Sequence, residues 1–150
     1  MVFLRNVLIT TDLSAPSLAA LEYAFTFGLL FGARMSLLYV AEHGHHRGEE
    51  QGVADLAHFV TTQVDPRMKA EQVVRSGRAE AEIRRFAQEQ GMDLIVMATH
   101  GKSGLKHAVM GSVVQKVVRL STVPVLVVRP RQVRESILRF EDVENELHLR

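Results

Sequence analysis

A chain of 150 residues with 47% hydrophobic composition can bury one sizeable core and is too short for two ordinary domains. Its 18 Lys plus Arg against 17 Asp plus Glu, a formal charge of +1, exclude the broad positive field that gathers nucleic acid or an anionic membrane. With no cysteine, disulfide stapling and thiolate chemistry are excluded, and no uncharged apolar run approaches the roughly 20 residues of a membrane span.

The opening Met1-Val2-Phe3-Leu4-Arg5-Asn6 lacks the basic region, apolar stretch and cleavage site of an export signal, which predicts a cytoplasmic chain. Residues 4–10 read as a first strand. Ser14 is placed to cap the following helix, with Pro16 in its first turn and Leu18, Leu21, Phe25 and Leu29 as its apolar stripe. Gly32 closes that helix.

Residues 35–40 form a second strand, and the polar stretch 42–50, with neither strand nor helix period, reads as a mobile loop. A helix carrying Val53, Leu56, Val60 and Val64 follows and ends at Pro66. Residues 70–75 are a third strand. Ala79, Ile83, Phe86 and Ala87 mark a third helix that stops near Gly91, and residues 93–98 supply a fourth strand.

The valine-rich residues 113–120 favour a strand by composition, but apolar positions 113, 114, 117 and 118 keep a helical period behind Gly111-Ser112. A fourth helix is therefore expected. The last strand, bounded by Val123 and Val128 with Pro124 near its start, suits a sheet edge, where it invites pairing with a second copy. Beyond Pro130 the stripe Val133, Ile137, Phe140, Val143 and Leu147 runs among many charges, predicting an amphipathic tail helix over 131–150 appended to a domain of residues 1–130. This tail could dock on its own domain, join a dimer or bind a protein partner.

Strand-length and helix-length runs thus alternate through the chain. The expected class is α/β: a Rossmann-like open sheet of five mainly parallel strands with helices on both faces. In such a sheet ligands bind beyond the C-terminal strand ends, where the strand order reverses.

Three segments converge there. The richest leaves the fourth strand at Met97 and Ala98, passes Gly101 and Gly104, and reaches Gly111, Ser112 and Val113. Glycines let backbone N–H groups approach an anion, and a helix start adds unpaired donors and a positive dipole end, which is phosphate-binding chemistry. Ser112 would bond a phosphate or cap the helix, with Lys102 and Lys106 as charge partners. The second segment, Thr10-Thr11-Asp12, places a carboxylate to accept ribose hydroxyls or to hold a metal that bridges phosphates. The third is the end of the second strand, where the Val40 backbone would read the edge of a base.

Other arrangements carry less. His43, His45 and His46 lie close together but on an unstructured stretch that fixes no metal geometry. Ser14, His100 and Asp12 make a Ser-His-Asp set on paper, without the G-x-S-x-G elbow that presents a nucleophile. No P-loop or strand-one dinucleotide fingerprint is present.

Through Val7-Leu8-Ile9-Thr10-Thr11-Asp12-Leu13-Ser14, Leu37-Leu38-Tyr39-Val40, Asp93-Leu94-Ile95-Val96-Met97-Ala98-Thr99-His100-Gly101, Gly111-Ser112-Val113 and Pro124-Val125-Leu126-Val127-Val128-Arg129, residues 2–129 resemble the universal stress protein family. Its ATP-binding members carry G-x2-G-x9-G-[S/T]. Here Gly101 and Gly111-Ser112 keep the nine-residue spacing, and Ala98 stands at the first glycine, where a methyl would crowd the ribose or oppose a positive φ. The resemblance implies ATP, or AMP or ADP, with Mg2+ or Mn2+. It places Asp12 on the ribose side, the Val40 backbone at adenine, and Gly101, Gly111, Ser112 and Val113 at the phosphates. It also implies a homodimer through the last strand, acting as a stress-response or signalling module with slow or no hydrolysis. A nucleotide-independent scaffold and a slow ATPase using Asp12, His100 or His107 are the alternatives.

Overall fold

The structure, a computed structural model, describes residues 3–42, 49–64, 66–100 and 110–130. Along the chain run β1 (Asn6–Thr11), a 3-10 turn (Ala15–Ser17), α1 (Leu18–Phe31), β2 (Arg34–Ala41), α2 (Glu49–Gln63), β3 (Glu71–Ser76), α3 (Ala79–Glu89), β4 (Leu94–Ala98), α4 (Ser112–Leu120) and β5 (Val125–Val128). The strand order is β3-β2-β1-β4-β5. Every pairing among the described strands is parallel, so the expected "mainly parallel" sheet is wholly parallel here. Ile9 sits opposite Leu37 on one side and Val96 on the other.

A parallel sheet needs a crossover between each pair of strands, and the crossovers cover both faces. That is why β1 reads as a continuous apolar run: Val7, Leu8 and Ile9 have no exposed surface. Side chains of successive residues point to opposite faces. Val7 and Ile9 join Leu18, Leu21 and Phe25 of α1 and Leu56 and Phe59 of α2 in one apolar layer. Leu8 joins Ile83 and Phe86 of α3 and Val114 and Val117 of α4 in the other.

The elements agree with the sequence reading, with instructive exceptions. Gly32 ends α1 in the left-handed region at φ 63°, which only glycine adopts without a steric cost. Leu29, Val53 and Val118, expected in buried stripes, are exposed, while Phe59 is in the core. A helical period alone does not fix how wide a stripe the neighbouring elements cover, and a single exposed leucine or valine is ordinary. Glu49 and Glu50, read as loop, open α2, where acidic residues favour the positive helix end. The histidines at 43, 45 and 46 lie outside the described residues, as does the tail 131–150.

The valine-rich segment 112–120 is helical, because a period-2 strand would have buried Val113 with Gln115 while the helix buries Val114 with Val117. The orientation of α4 is testable by chemical denaturation. Val117→Ala is expected to cost about 2 kcal/mol by opening a cavity, and Val118→Ser less than about 0.5 kcal/mol as a surface change. Equal costs would mean that α4 faces the sheet differently.

Candidate functional site

β2 and β4 flank β1, so the chain turns one way out of β1 towards β2 and β3 and returns on the other side for β4 and β5. The strand order reverses between β1 and β4. Crossover segments there leave the sheet in opposite directions and open a crevice at the C-terminal strand ends.

At the end of β1, Thr10 and Thr11 are buried and Asp12 is half-buried. Leu13 N–H donates to Thr11 Oγ1 at 3.0 Å, Thr11 Oγ1 lies 2.8 Å from Ser17 Oγ, and Ser17 Oγ donates to the Ser14 carbonyl at 2.6 Å. Because Ser17 gives its proton to that carbonyl, Thr11 must donate to Ser17, and each hydroxyl proton in this buried chain has one destination. Asp12 Oδ1 accepts from Ser14 N–H at 3.1 Å and also from the Ser14 hydroxyl. This turn holds the carboxylate in place.

Ser14 therefore does not cap the helix with its side chain, as expected from the sequence; it serves Asp12, and the 3-10 turn Ala15–Ser17 begins without a side-chain cap. The tight reversal puts Leu13 at φ 63°. A leucine in that region is strained by roughly 1–2 kcal/mol, and such strain is retained where surrounding bonds over-determine the backbone.

β2 runs further than β1: Thr11, the last residue of β1, faces Tyr39, while Val40 and Ala41 continue alongside Arg75 and Ser76 of β3. The Ala41 carbonyl accepts from Gly77 N–H at 3.1 Å, on the β3 side. Neighbouring residues of a strand direct their backbone polar groups to opposite sides, so the Val40 carbonyl faces the space above the end of β1.

From β4, Met97 is buried in the α3/α4 layer and offers the crevice only its backbone. Ala98 pairs with Val128 in extended conformation, and its methyl is packed in the layer under α1. The expectation that this methyl would oppose a positive φ is thus corrected: the position is an ordinary strand residue, with its side chain turned into the core. Thr99 Oγ1 lies 2.7 Å from His100 Nδ1, and His100 Nε2 is buried with no hydrogen-bond partner among the described residues. Leaving such an atom unmet costs about 1–3 kcal/mol, which a polar ligand would recover. His100 is bonded to Thr99 and Ser14 to Asp12, so no Ser-His-Asp relay is assembled.

Gly111 is the N-cap of α4 at φ −58° and ψ 151°, a conformation open to any residue. Its N–H is already donated to the Thr99 carbonyl at 3.0 Å, and an added Cβ would stand 3.4 Å from that carbonyl. Gly111 therefore contributes closeness of approach and no free donor. Ser112 is the first helical residue and exposed, so of its two expected roles, phosphate ligand or cap, it does not take that of cap. The helical ladder begins with Gln115 N–H bonding the Gly111 carbonyl, so Ser112, Val113 and Val114 N–H have no intrahelical acceptor. Glycine supplies no capping oxygen for them. Gly101, Lys102, Lys106 and His107 lie outside the described residues.

One residue missed by the sequence reading steadies this helix. Glu80, at the start of α3 and nearly buried, bonds Arg78 at 2.7 Å and Lys116 of α4 at 3.4 Å. A hydrogen bond from its own backbone N–H lowers its pKa from 4.5; burial opposes this, and the charges of Arg78 and Lys116 add to it. The available signal was an acidic residue in a first helical turn.

The sequence profile of the Universal stress protein family matches residues 4–129. Universal stress protein MJ0577 of Methanocaldococcus jannaschii is 26% identical, over 85% of this chain and 96% of its own. Its solved structure superimposes with a TM-score of 0.69, covering 87% of this chain and 99% of that one. Universal stress protein MJ0531 of the same organism is 30% identical, over 83% of this chain and 82% of its own. A universal stress protein solved in complex with cAMP shares the fold at 23% identity and a TM-score of 0.65, covering 85% of this chain and 98% of its own.

Two measurements check the local chemistry. Ser17→Ala strands the buried Thr11 hydroxyl and is expected to lower stability by about 1–3 kcal/mol, read as a fall in Tm. Because the Glu80 carboxyl is held below its ordinary value, its contribution is present above the unfolded pKa and disappears as pH falls through the lower, folded one. Glu80→Gln is therefore expected to be less stable than the parent at about pH 7, with the gap closing on acidification below about pH 4.5; a gap independent of pH would mean a packing effect.

Proposed function

We propose that this chain, which belongs to the universal stress protein family, binds an adenine nucleotide, with ATP as the first candidate, across the C-terminal ends of β1, β2 and β4. The observation that carries this reading is the uncapped start of α4 at the strand-order reversal, where Ser112, Val113 and Val114 present backbone N–H groups beside Gly111. Donors of this kind, backed by the helix dipole, favour a phosphate without any surplus of basic side chains.

The other roles follow from position. The Val40 backbone meets the base, and Asp12, oriented by Ser14, accepts ribose hydroxyls. Thr10 and Met97 frame the floor. Gly101 and the lysines 102 and 106 would complete the phosphate side. Two neighbours of the same fold were solved with cAMP and with dAMP, and adenine nucleotide is the class of ligand common to them.

No group of three His, Cys, Asp or Glu side chains suited to a metal occurs among the described residues. A Mg2+ or Mn2+ ion accompanying the nucleotide would have Asp12 as its protein ligand in place of the ribose contact, which suits Mg2+ because it commonly binds with few protein ligands. The ion would neutralise phosphate charge. The protein's own part is to bind and orient, and as a stress-response module it would act through the bound state rather than through turnover.

A homodimer is the second part of the proposal. β5 is an edge strand whose Val125, Leu126 and Val127 are only half-buried, and an apolar edge of this kind is satisfied by a second copy. The assembly is assigned to the cytoplasm; no helix among the described residues is long and apolar enough to cross a membrane.

The test is calorimetric titration of nucleotide-free protein with ATP, with and without Mg2+. Saturable binding is expected, with Gly111→Val weakening it by at least roughly tenfold, about 1.4 kcal/mol, while the fold persists because φ at 111 suits valine. Absence of binding in the parent protein would leave the dimeric scaffold as the reading; unchanged affinity in the variant would remove the α4 start as the phosphate site.

A further inference from the structure

α1 is apolar on two sides. Leu18, Leu21, Ala24 and Phe25 are buried against the sheet, yet Tyr23, Leu30 and Phe31 are 45%, 51% and 57% exposed. Phe27 lies between them, with its ring centroid 6.3 Å from that of Phe31. Positions 23, 27 and 30 are one helical stripe, and Glu22 is the single charged residue in Leu18–Phe31. A helix apolar all round is ordinarily covered all round, and a contiguous exposed apolar patch marks a contact site.

We infer that residues 131–150 fold back as a helix and cover this face of α1. The chain leaves β5, the sheet edge, at Val128, and α1 packs on β1, β4 and β5. Because β5 and β1 are parallel, β5 ends at the same end of the sheet from which α1 starts, so the tail departs beside the first turn of α1 and runs in the same direction. At about 1.5 Å rise per residue in each helix, aligning residue 131 with Leu18 brings Phe140 beside Phe27 and Val143 beside Leu30. The tail stripe Val133, Ile137, Phe140, Val143 and Leu147 then meets the α1 stripe along its length.

Charge agrees with this direction. Residues 141–146 carry Glu141, Asp142, Glu144 and Glu146 and no base. In this alignment they arrive at the end of α1, where Arg34 is exposed and its N–H bonds the carbonyl of the equally exposed Arg5 at 2.7 Å. Run the opposite way, the tail would set its basic half, with Arg131, Arg134 and Arg139, against those two arginines.

The chain contains no cysteine, so pairs can be introduced into the full-length protein without background. Leu30→Cys is combined with Val143→Cys, and separately with Leu147→Cys to allow a slip of one turn. Val53→Cys, exposed on α2, is combined with Val143→Cys as the control. A disulfide needs Cα atoms within about 7 Å. After mild oxidation, an intrachain bond is expected in at least one Leu30 pair and not in the control. Bonds only between chains would assign the face to a second copy. No bond in either pair would leave the tail to another protein, and equal bonding in the control would mean random collision; each of these three results overturns the inference.

Discussion

Burial of β1 on both faces and both edges is the constraint on which the rest of the molecule depends. A strand with Val7, Leu8 and Ile9 wholly removed from water must have helices above and below and a strand on each side. In a parallel sheet the connections that satisfy this have to leave in opposite directions. The same requirement that closes the core therefore opens the crevice between the ends of β1 and β4. The site is a consequence of how the sheet is wound.

Among the described residues, what borders the crevice is mostly backbone. Val40 contributes a carbonyl, α4 contributes N–H groups with no acceptor among the described residues, and Gly111 adds no side chain. The side chains present are held in place: Asp12 by Ser14, Thr11 by Ser17, His100 by Thr99. A chain with a formal charge of +1 has no broad field for an anion, so the proposed phosphate contact rests on helix-end donors that act locally. Glu80 belongs to the same design at one remove, tying α3 to Lys116 of the helix that presents those donors.

The exposed stripe on α1 and the half-buried edge of β5 adjoin each other on the far side of the sheet from β3. Both are apolar surfaces without a partner among the described residues. A tail over α1 and a second copy along β5 address different groups, side chains in one case and backbone edge in the other, so the two can coexist.

The sequence by itself determined the α/β class, the order of elements and the mainly parallel sheet, and it named segments for a phosphate, a ribose and a base, because hydrophobic period, glycine positions and strand length are local properties. It did not determine which side chains would be spent inside the protein. Ser14 and Ser112 were plausible caps by chemistry, yet one holds Asp12 and the other stands exposed as the first residue of α4. Ala98 and Gly111 looked like backbone requirements but occupy ordinary conformations, with the Ala98 methyl turned into the core. Leu29, Val53 and Val118 kept the right period and still lost their cover. Tertiary structure decided these points because each depends on which atoms from distant segments arrive within bonding or packing distance, and a pattern read along one chain carries no such distances.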